Sequence, residues 1–299
     1  MEFSLDKSVF LNMVNFILYL NYLTYLLTYL SDIMLWDEIT TISKKQLIDP
    51  KQVLREELQK TILTFFSQKG YFSTIVFQGG TALRLCYGNP RFSEDLDFVF
   101  KNVENTINIS VSSIKRFILD SYPFLETINI KNQKTSAYIN RYVLTTRGNV
   151  TSQNSRIHIE FASVPSYDNQ PIILSYPPYN PAIQVETKEE ILADKLTALG
   201  CRSYVKGRDL WDIYFLSQEQ KVTIEWDYVR KKISDYGVSR KDYLDQLRKR
   251  RNELEQTGQS LLSFELKRFL SQPLYTQYEK EFSRIIEKVI SQMPSESNL

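Results

Sequence analysis

A pair of glycines, followed after a spacer by two alternating aspartates, constrains the fold of this chain more than any other feature. Gly79-Gly80-Thr81 follows, after Gln78, residues 74–77, a short β-branched and apolar run of the kind that forms a buried strand. Thirteen residues separate Thr81 from Asp95, which is room for a short helix over residues 81–87 and a return to a neighbouring strand. That strand is predicted over residues 93–100, where charged and apolar residues alternate around Asp95-Leu96-Asp97. The segment therefore predicts a strand, a turn, a helix and a second strand within one sheet.

The remaining patterns divide the chain into a mixed half and a helical half. Helices are predicted over residues 49–69 and 107–119, and strands over residues 137–145 and 156–161. Five prolines mark residues 165–181 as a loop or linker. A capping box of Thr187 and Glu190 then begins a helix, a second helix runs from Arg208, and helices with charged faces follow to about residue 293. We predict an α+β fold, with a mixed sheet flanked by helices over residues 34–182 and a helical domain over residues 183–299.

An apolar stretch precedes these domains. No charged residue occurs from Val9 to Ser31, a length that suits a membrane span. Asparagine and threonine residues interrupt the stretch, and no excess of positive charge flanks it, so a membrane span is not expected. We favour an extra helix, or translation that starts at Met34, as the explanation of residues 1–33.

Composition excludes several kinds of site. One histidine and two cysteines among 299 residues provide neither a zinc site nor a Cys-His nucleophile system. The two cysteines, Cys86 and Cys201, form no disulfide framework and indicate a reducing compartment. The formal net charge of +2 does not by itself require a nucleic-acid partner. Any bound metal should therefore be a hard cation held by carboxylates.

The aspartate pair has the chemistry of such a metal site. Residues i and i+2 of a strand point to one face, so Asp95 and Asp97 should project together while Leu96 faces the core. Two close carboxylates resist joint ionisation unless a cation lies between them. Mg²⁺ (or Mn²⁺) prefers carboxylate and phosphate oxygens, so we predict that the pair holds a metal against a nucleoside triphosphate. If residues 156–161 form the neighbouring strand, Glu160 can complete the metal site or accept a proton from an attacking hydroxyl.

The glycine turn has the features of a phosphate-binding element. Backbone N–H groups of Gly79 and Gly80 and the helix N-terminus that follows can surround phosphate, and Thr81 adds a hydroxyl. Arg91, in the return to the second strand, is placed to touch a phosphate. Ser93 is a turn hydroxyl that we include among the nucleotide-binding residues.

The stretch GGTALRLCYGNPRFSEDLDF, residues 79–98, resembles the signature of the AbiEii/AbiGii toxin family, nucleotidyltransferases of the DNA polymerase β-like superfamily. The superfamily pattern is Gly-Ser, a spacer, and Asp-x-Asp or Asp-x-Glu; Thr81 stands in place of Ser and keeps the hydroxyl. Later motifs of the family are matched by EEILADKLTAL and RDLWDIYFL. With RIHIEF, the resemblance covers roughly residues 49–216.

The resemblance implies a fold, an activity and partners. It implies a polymerase β-like core, and a cytoplasmic toxin of a toxin–antitoxin or abortive-infection (phage defence) system with a cognate antitoxin encoded nearby. It also implies Mg²⁺-dependent transfer of a nucleoside monophosphate from an NTP to RNA, with the tRNA 3′ end as acceptor. Lys195 would reach the triphosphate as a point charge, and Asp209 and Asp212 would arrange that lysine or the acceptor strand.

Other interpretations remain open at this point. The acceptor could be a protein or a small molecule, or the chain could bind nucleotides and act through interaction alone. Glu160 could pair with Arg156 or with a neighbouring lysine across the sheet. Lys195 could be a solvated helix residue, and Asp209 and Asp212 could form only a salt-bridged helix start.

Overall fold

The structure is a computed structural model that describes residue 19 and residues 35–102, 107–136, 139–150 and 153–299. The interpretation of residues 1–33 as an extra helix or a misplaced start therefore lies outside the described residues, apart from Tyr19. Within the described ranges, no helix is long and apolar enough to cross a membrane.

A seven-stranded mixed sheet forms the first half of the described chain, in the order β3-β4-β5-β2-β1-β7-β6. The strands are β1 (Ile75–Gln78), β2 (Leu96–Phe100), β3 (Leu125–Thr135), β4 (Ile139–Gly148), β5 (Ser155–Pro165), β6 (Asn169–Ile173) and β7 (Ala182–Glu186). Strand β2 runs parallel to β5 and antiparallel to β1. The centre of the sheet therefore combines the two strands of the glycine–aspartate segment with the strand that carries Glu160.

The helices flank the sheet and then continue alone towards the C-terminus. They are α1 (Trp36–Gln46), α2 (Pro50–Gln68), α3 (Gly79–Tyr87), α4 (Val111–Ser121), α5 (Lys188–Cys201), α6 (Gly207–Tyr214), α7 (Trp226–Asp235), α8 (Arg240–Phe269), α9 (Gln272–Glu279) and α10 (Phe282–Gln292). A π-helical turn, Phe215–Glu219, extends α6. This arrangement confirms the predicted α+β fold with a helical C-terminal part.

Aromatic packing holds α2 on the sheet. Phe66 of α2 lies 5.4 Å from Phe98 of β2 between ring centroids, and Phe98 stacks on Phe161 of β5 at 5.1 Å. All three rings are buried, which removes a large apolar area from water. Because Phe98 and Leu96 face this core, Asp97 between them faces the opposite side of the sheet.

Side-chain caps explain where helices α2 and α5 begin. Asp49 accepts a hydrogen bond from the Lys51 amide at 2.8 Å, and Pro50 occupies the first turn of α2. Thr187 caps α5 by accepting from the Glu190 amide at 3.3 Å. Only this half of the predicted capping box forms, because the Glu190 carboxylate accepts from the amides of Tyr167 and Asp168 instead. Glu190 thereby ties the β5–β6 turn to α5.

Several element bounds differ from prediction. The strand predicted from Ser93 begins at Leu96, because the Ser93 carbonyl accepts from Gln59 and the Asp95 carbonyl from Thr81 rather than from a strand partner. The predicted loop over residues 165–181 contains β6, an edge strand where Pro171 is tolerated. The sequence analysis does not predict strand β3. Most residues of this strand are exposed and polar, so apolar and polar residues do not alternate along its length.

The division predicted at residue 182 falls within β7, whose residue Val185 is the Cα partner of Phe77 on β1. The sheet therefore extends to Glu186, and the assignment of two domains stays a prediction. Trp211 of α6 joins the two halves: the ring is fully buried, and Nε1 donates to Asn89 Oδ1 at 2.9 Å.

Candidate active site

A cavity of about 370 Å³ lies where the central strands meet the α5–α6 region. It collects residues from β1, β2, β4 and β5 on one side and from α5, α6 and the turn after α7 on the other. The charged side chains that line it are Arg91, Asp95, Asp97, Arg141, Glu160, Asp194, Lys195, Arg202, Lys206, Arg208 and Asp209. Carboxylates dominate the sheet side and cations the helical side.

Three carboxylates form the acidic wall of the cavity, and all three were predicted. Asp97 and Glu160 are Cα partners in the parallel pair of β2 and β5, which confirms the assumed neighbourhood of the two strands. Asp95 precedes β2 and also faces the cavity. Burial, reinforced by the charges of Asp95 and Glu160, raises the pKa of Asp97 to about 7. Burial and the neighbouring carboxylates thus both favour the protonated form of Asp97.

A histidine and an arginine contact two members of this wall. His158 Nδ1 lies 2.9 Å from Asp95 Oδ1, and Arg141 Nε lies 2.9 Å from Glu160 Oε1. Glu160 therefore pairs with Arg141 of β4, not with Arg156 as the alternative interpretation proposed. Both contacts turn a carboxylate towards the sheet.

The glycine turn is shaped by its closeness to the acidic wall. Gly79 has φ of +81°, and a Cβ there would lie 2.8 Å from Asp97 Oδ2. A Cβ on Gly80 would clash with the guanidinium of Arg91. Helix α3 begins at Gly79 without a side-chain cap, so its first amides remain available to an anion at the cavity.

Behind the turn, a buried ion-pair network connects the two halves of the protein. Arg91 donates to Asp212 through Nε at 2.6 Å and through Nη2 at 2.5 Å. Lys195 Nζ lies 2.8 Å from Asp209 Oδ1 and 2.9 Å from Asp212 Oδ2. Although burial opposes ionisation of Asp212, the charges of Arg91 and Lys195 hold its pKa below the usual range. Asp209 and Asp212 therefore do contact Lys195, as the resemblance implied.

The structure brings most of the predicted residues to one cavity. These are Gly79, Gly80, Arg91, Ser93, Asp95, Asp97, Glu160, Lys195 and Asp209. Thr81 and Asp212 are different: both are fully buried and neither lines the cavity. The Thr81 hydroxyl donates to the Asp95 carbonyl, and the Asp212 carboxylate is held by Arg91 and Lys195. Both lie behind the cavity lining: the Thr81 hydroxyl, predicted to add a phosphate donor, holds the Asp95 carbonyl, and Asp212 contacts Lys195 as the resemblance implied.

Arg91 also differs from its prediction. Its side chain is only 1% exposed, and Asp212 and the Phe92 carbonyl bind the guanidinium. An arginine committed in this way positions the turn and has little freedom to bind a phosphate directly.

Sequence reasoning missed the basic wall. Arg202, Lys206 and Arg208 line the cavity opposite the carboxylates. Arg202 contacts Asp209, and Arg208 lies 3.9 Å from both Glu94 and Glu265. Burial, together with the charges of Arg202 and Arg208, lowers the pKa of Lys206. The signal was present in the sequence, as three cations within seven residues, from the end of α5 to the start of α6.

The acidic wall offers the oxygen donors that a hard cation prefers, but its carboxylates do not converge on one point. In the described residues, no group of three or more acidic, histidine or cysteine side chains converges as a metal-holding cluster. Asp95 and Glu160 are turned towards His158 and Arg141. The oxygen donors and the crowding that raises the pKa of Asp97 nevertheless fit Mg²⁺ or Mn²⁺. The assignment of Asp95, Asp97 and Glu160 as metal ligands stays a prediction.

A glycine turn beside paired carboxylates, on a mixed sheet followed by helices, defines a nucleotidyltransferase-like protein. The family model described as "Nucleotidyl transferase AbiEii toxin, Type IV TA system" matches residues 61–295. The chain belongs to this AbiEii nucleotidyltransferase toxin family, as the sequence resemblance indicated. Membership implies an antitoxin partner.

Two solved structures are similar to this chain, and the first supports the fold. JHP933 from Helicobacter pylori is 20% identical, with a TM-score of 0.50 over 82% of this chain and 94% of that chain. A second H. pylori structure, named as a nucleotidyltransferase by inference, is 20% identical, with a TM-score of 0.47 over 80% of this chain and 94% of that chain. No curated protein matches the sequence.

Proposed function

We propose that the protein is a toxin that transfers a nucleoside monophosphate from an NTP to the 3′ end of an RNA, with tRNA as the acceptor. The observation that supports this most is the division of one cavity into an acidic wall (Asp95, Asp97, Glu160) and a basic wall (Arg202, Lys206, Arg208). A polyphosphate carries several negative charges and needs cations from both sides. The basic wall supplies one set, and a divalent metal at the acidic wall would supply the other.

The basic wall is suited to the triphosphate. Lys206 is half-buried, and within the described chain no carboxylate forms an ion pair with it. Its lowered pKa reflects burial and repulsion from Arg202 and Arg208, which an anion would relieve. The free amides at the start of α3 face the same cavity from the glycine turn. Together they would orient the triphosphate across the carboxylates.

In the proposed reaction, a terminal hydroxyl oxygen of the RNA attacks the α-phosphorus of the NTP. The bond from that phosphorus to the bridging oxygen breaks, and pyrophosphate leaves with the electron pair. The hydroxyl proton passes to a carboxylate of the acidic wall, and Asp97 or Glu160 lies there to accept it. Mg²⁺ held by the acidic wall would neutralise charge on the phosphates. A cytoplasmic setting, where NTPs and RNA occur together, is part of the proposal.

The test is label transfer. The protein is incubated with Mg²⁺, each labelled NTP in turn, and total tRNA; we expect label on tRNA with at least one NTP, and loss of transfer on addition of EDTA. Asp95→Ala should abolish transfer, whereas Asp120→Ala, on an exposed face of α4, should leave it unchanged. Equal transfer by Asp95→Ala, or no transfer with any NTP, would overturn the proposal.

The same assay separates the other interpretations. Label on a protein or an aminoglycoside, with none on tRNA, would establish a different acceptor. Toxicity in cells that survives Asp95→Ala would establish a role through interaction alone.

A further inference from the structure

We propose that Tyr236 is the base-binding residue of the site, and that its ring stacks on the heterocycle of the incoming nucleoside triphosphate. The inference rests on the proposed use of an NTP and extends it, because it assigns the part of the cavity that binds the base. It does not depend on which RNA accepts the nucleotide.

Tyr236 is an exposed aromatic ring on the wall of the cavity. It lines the cavity, yet 58% of its surface is exposed. Among the residues that the structure describes, none stacks on this ring or hydrogen-bonds to its hydroxyl. What distinguishes Tyr236 from other exposed rings such as Phe264 is its place in the lining of the cavity, where a planar heterocycle can stack on it.

The ring lines the same cavity as Arg202, Lys206 and Arg208. Burial alone would lower the pKa of Arg202, but its pKa is raised. The charge of Asp209 contributes most to this increase, and Tyr236, Asp97 and Tyr204 contribute further. Arg202 is thus close to both tyrosines and to the acidic wall. Because a nucleotide joins its base to its phosphates through one ribose, a ring beside the phosphate-binding cations is well placed for the base.

A second exposed ring borders the same cations. Tyr204 is 60% exposed, and Lys206 Nζ lies 5.9 Å from its centroid. Tyr204 does not line the cavity itself, so we assign the stacking contact to Tyr236.

The backbone around Tyr236 is fixed, as a stacking platform requires. Lys232, one turn earlier on α7, is only 4% exposed and lies 2.7 Å from Asp194 and 2.8 Å from Glu190 of α5. The Tyr236 amide donates to the Lys232 carbonyl at 3.2 Å. Gly237, with φ of +65°, then turns the chain away. The C-terminal end of α7, which carries Tyr236, is therefore held against α5.

Calorimetric titration with two probes distinguishes base binding from phosphate binding. Each of the four NTPs and inorganic tripolyphosphate is titrated into the full chain with Mg²⁺. For Tyr236→Ala we expect about tenfold weaker binding of every NTP, since stacking tolerates any base, and unchanged binding of tripolyphosphate. Tyr236→Phe should bind like the wild type, because it keeps the ring.

Two further variants serve as matched controls. Lys206→Gln should weaken NTPs and tripolyphosphate alike, because it removes a cation of the basic wall. Phe264→Ala removes a ring that is 73% exposed but does not line the cavity, and it should change neither. Thermal unfolding of each variant checks that the fold is intact.

The inference is overturned if Tyr236→Ala binds NTPs as the wild type does, or weakens tripolyphosphate as strongly as NTPs. It is also overturned if NTP binding is unchanged and only the KM for the RNA acceptor rises, which would place the ring at the acceptor. If the wild type transfers no nucleotide and Tyr236→Ala still loses NTP but not tripolyphosphate affinity, the base site stands and the proposed function fails.

Discussion

Asp97 on β2 and Glu160 on β5 are direct Cα partners in a parallel pair of strands. Strand pairing therefore fixes two carboxylates side by side on one face of the sheet. Asp95, the residue before the first residue of β2, adds a third. Like charges at this spacing favour protonation of one member. The raised pKa of Asp97, about 7, follows from burial and from this crowding.

Replacing Asp97 by Asn should stabilise the protein at high pH. An ordinary aspartate has a pKa of 3.8 and Asp97 one of about 7, so the folded state keeps a proton that the unfolded state has lost. Wild-type stability should therefore fall as pH rises from about 4 to 7, and then level off. We expect Asp97→Asn to be more stable than wild type on the order of 1 kcal/mol at about pH 8, with a smaller difference near pH 4.

Urea unfolding across this pH range measures the effect. Asp120→Asn, on an exposed part of α4, is the control and should follow the wild-type profile. A constant offset between Asp97→Asn and wild type at all pH values would contradict the explanation.

Two glycines allow backbone strain to be separated from contact with the acidic wall. Gly79 and Gly88 have φ of +81° and +75°, so alanine at either is strained by about 1–2 kcal/mol. Only at Gly79 would the new Cβ meet a side chain, 2.8 Å from Asp97 Oδ2; at Gly88 nothing lies within 4 Å. We expect Gly79→Ala and Gly88→Ala to lose similar stability, and only Gly79→Ala to lose nucleotide transfer. Equal transfer by the two variants would show that the turn does not position Asp97.

The sequence predicted the acidic wall well, because local rules determine it. Alternation places Asp97 opposite Leu96 and Phe98, and the glycine turn needs a residue without Cβ next to Asp97. The pairing of Glu160 with Asp97 had to be assumed, since strand order depends on contacts far apart in the chain. The structure provides that order.

The basic wall could not be derived in the same way. Arg202, Lys206 and Arg208 lie in and after a loop, where no periodicity tells which side chains face a cavity. The partners that Arg91 and Thr81 have in the structure could not be derived for a related reason. A motif shows that a hydroxyl or a guanidinium is present, but whether it faces the ligand or supports the turn depends on partners such as Asp212 that pack from another element.

The buried pair of Arg91 and Asp212 should be important for stability. Asp212 is fully buried and Arg91 nearly so, at 0% and 1% exposure. Arg91→Met would leave Asp212 with Lys195 and Asn89 as its remaining partners. We expect a loss of about 3–5 kcal/mol in the free energy of unfolding, the usual result of breaking a buried pair from one side.

Denaturant unfolding measures this loss. Arg116→Met removes an arginine that is 87% exposed and lies 3.9 Å from Asp120, so this control should change stability little. Similar losses in the two variants would show that the network between the halves contributes no special stability.

Lys232 offers a pH-dependent test of how α7 is anchored. Its ammonium lies among Glu186, Glu190 and Asp194, at 3.4, 2.8 and 2.7 Å. The pKa of Lys232 is raised, so its stabilising charge is fully present below the ordinary value of 10.5 and is lost only at higher pH. Between about pH 5 and 8, any pH dependence of Lys232→Met must therefore come from the carboxylates.

Without the ammonium, the three carboxylates around position 232 repel one another when ionised, and protonation relieves that repulsion. We expect Lys232→Met to lose about 3–5 kcal/mol near pH 8 and clearly less near pH 5, measured by urea unfolding at both values. Lys231→Met is the matched control, because Lys231 is the adjacent residue of α7 and its ion pair is with exposed Asp227. Its ammonium also lies 5.1 Å from the ring centroid of Tyr167, a contact at the surface, so the variant should change stability little at either pH. A loss for Lys232→Met that is the same at both pH values would mean that packing of the lysine stem, and not its charge, holds α7 against α5.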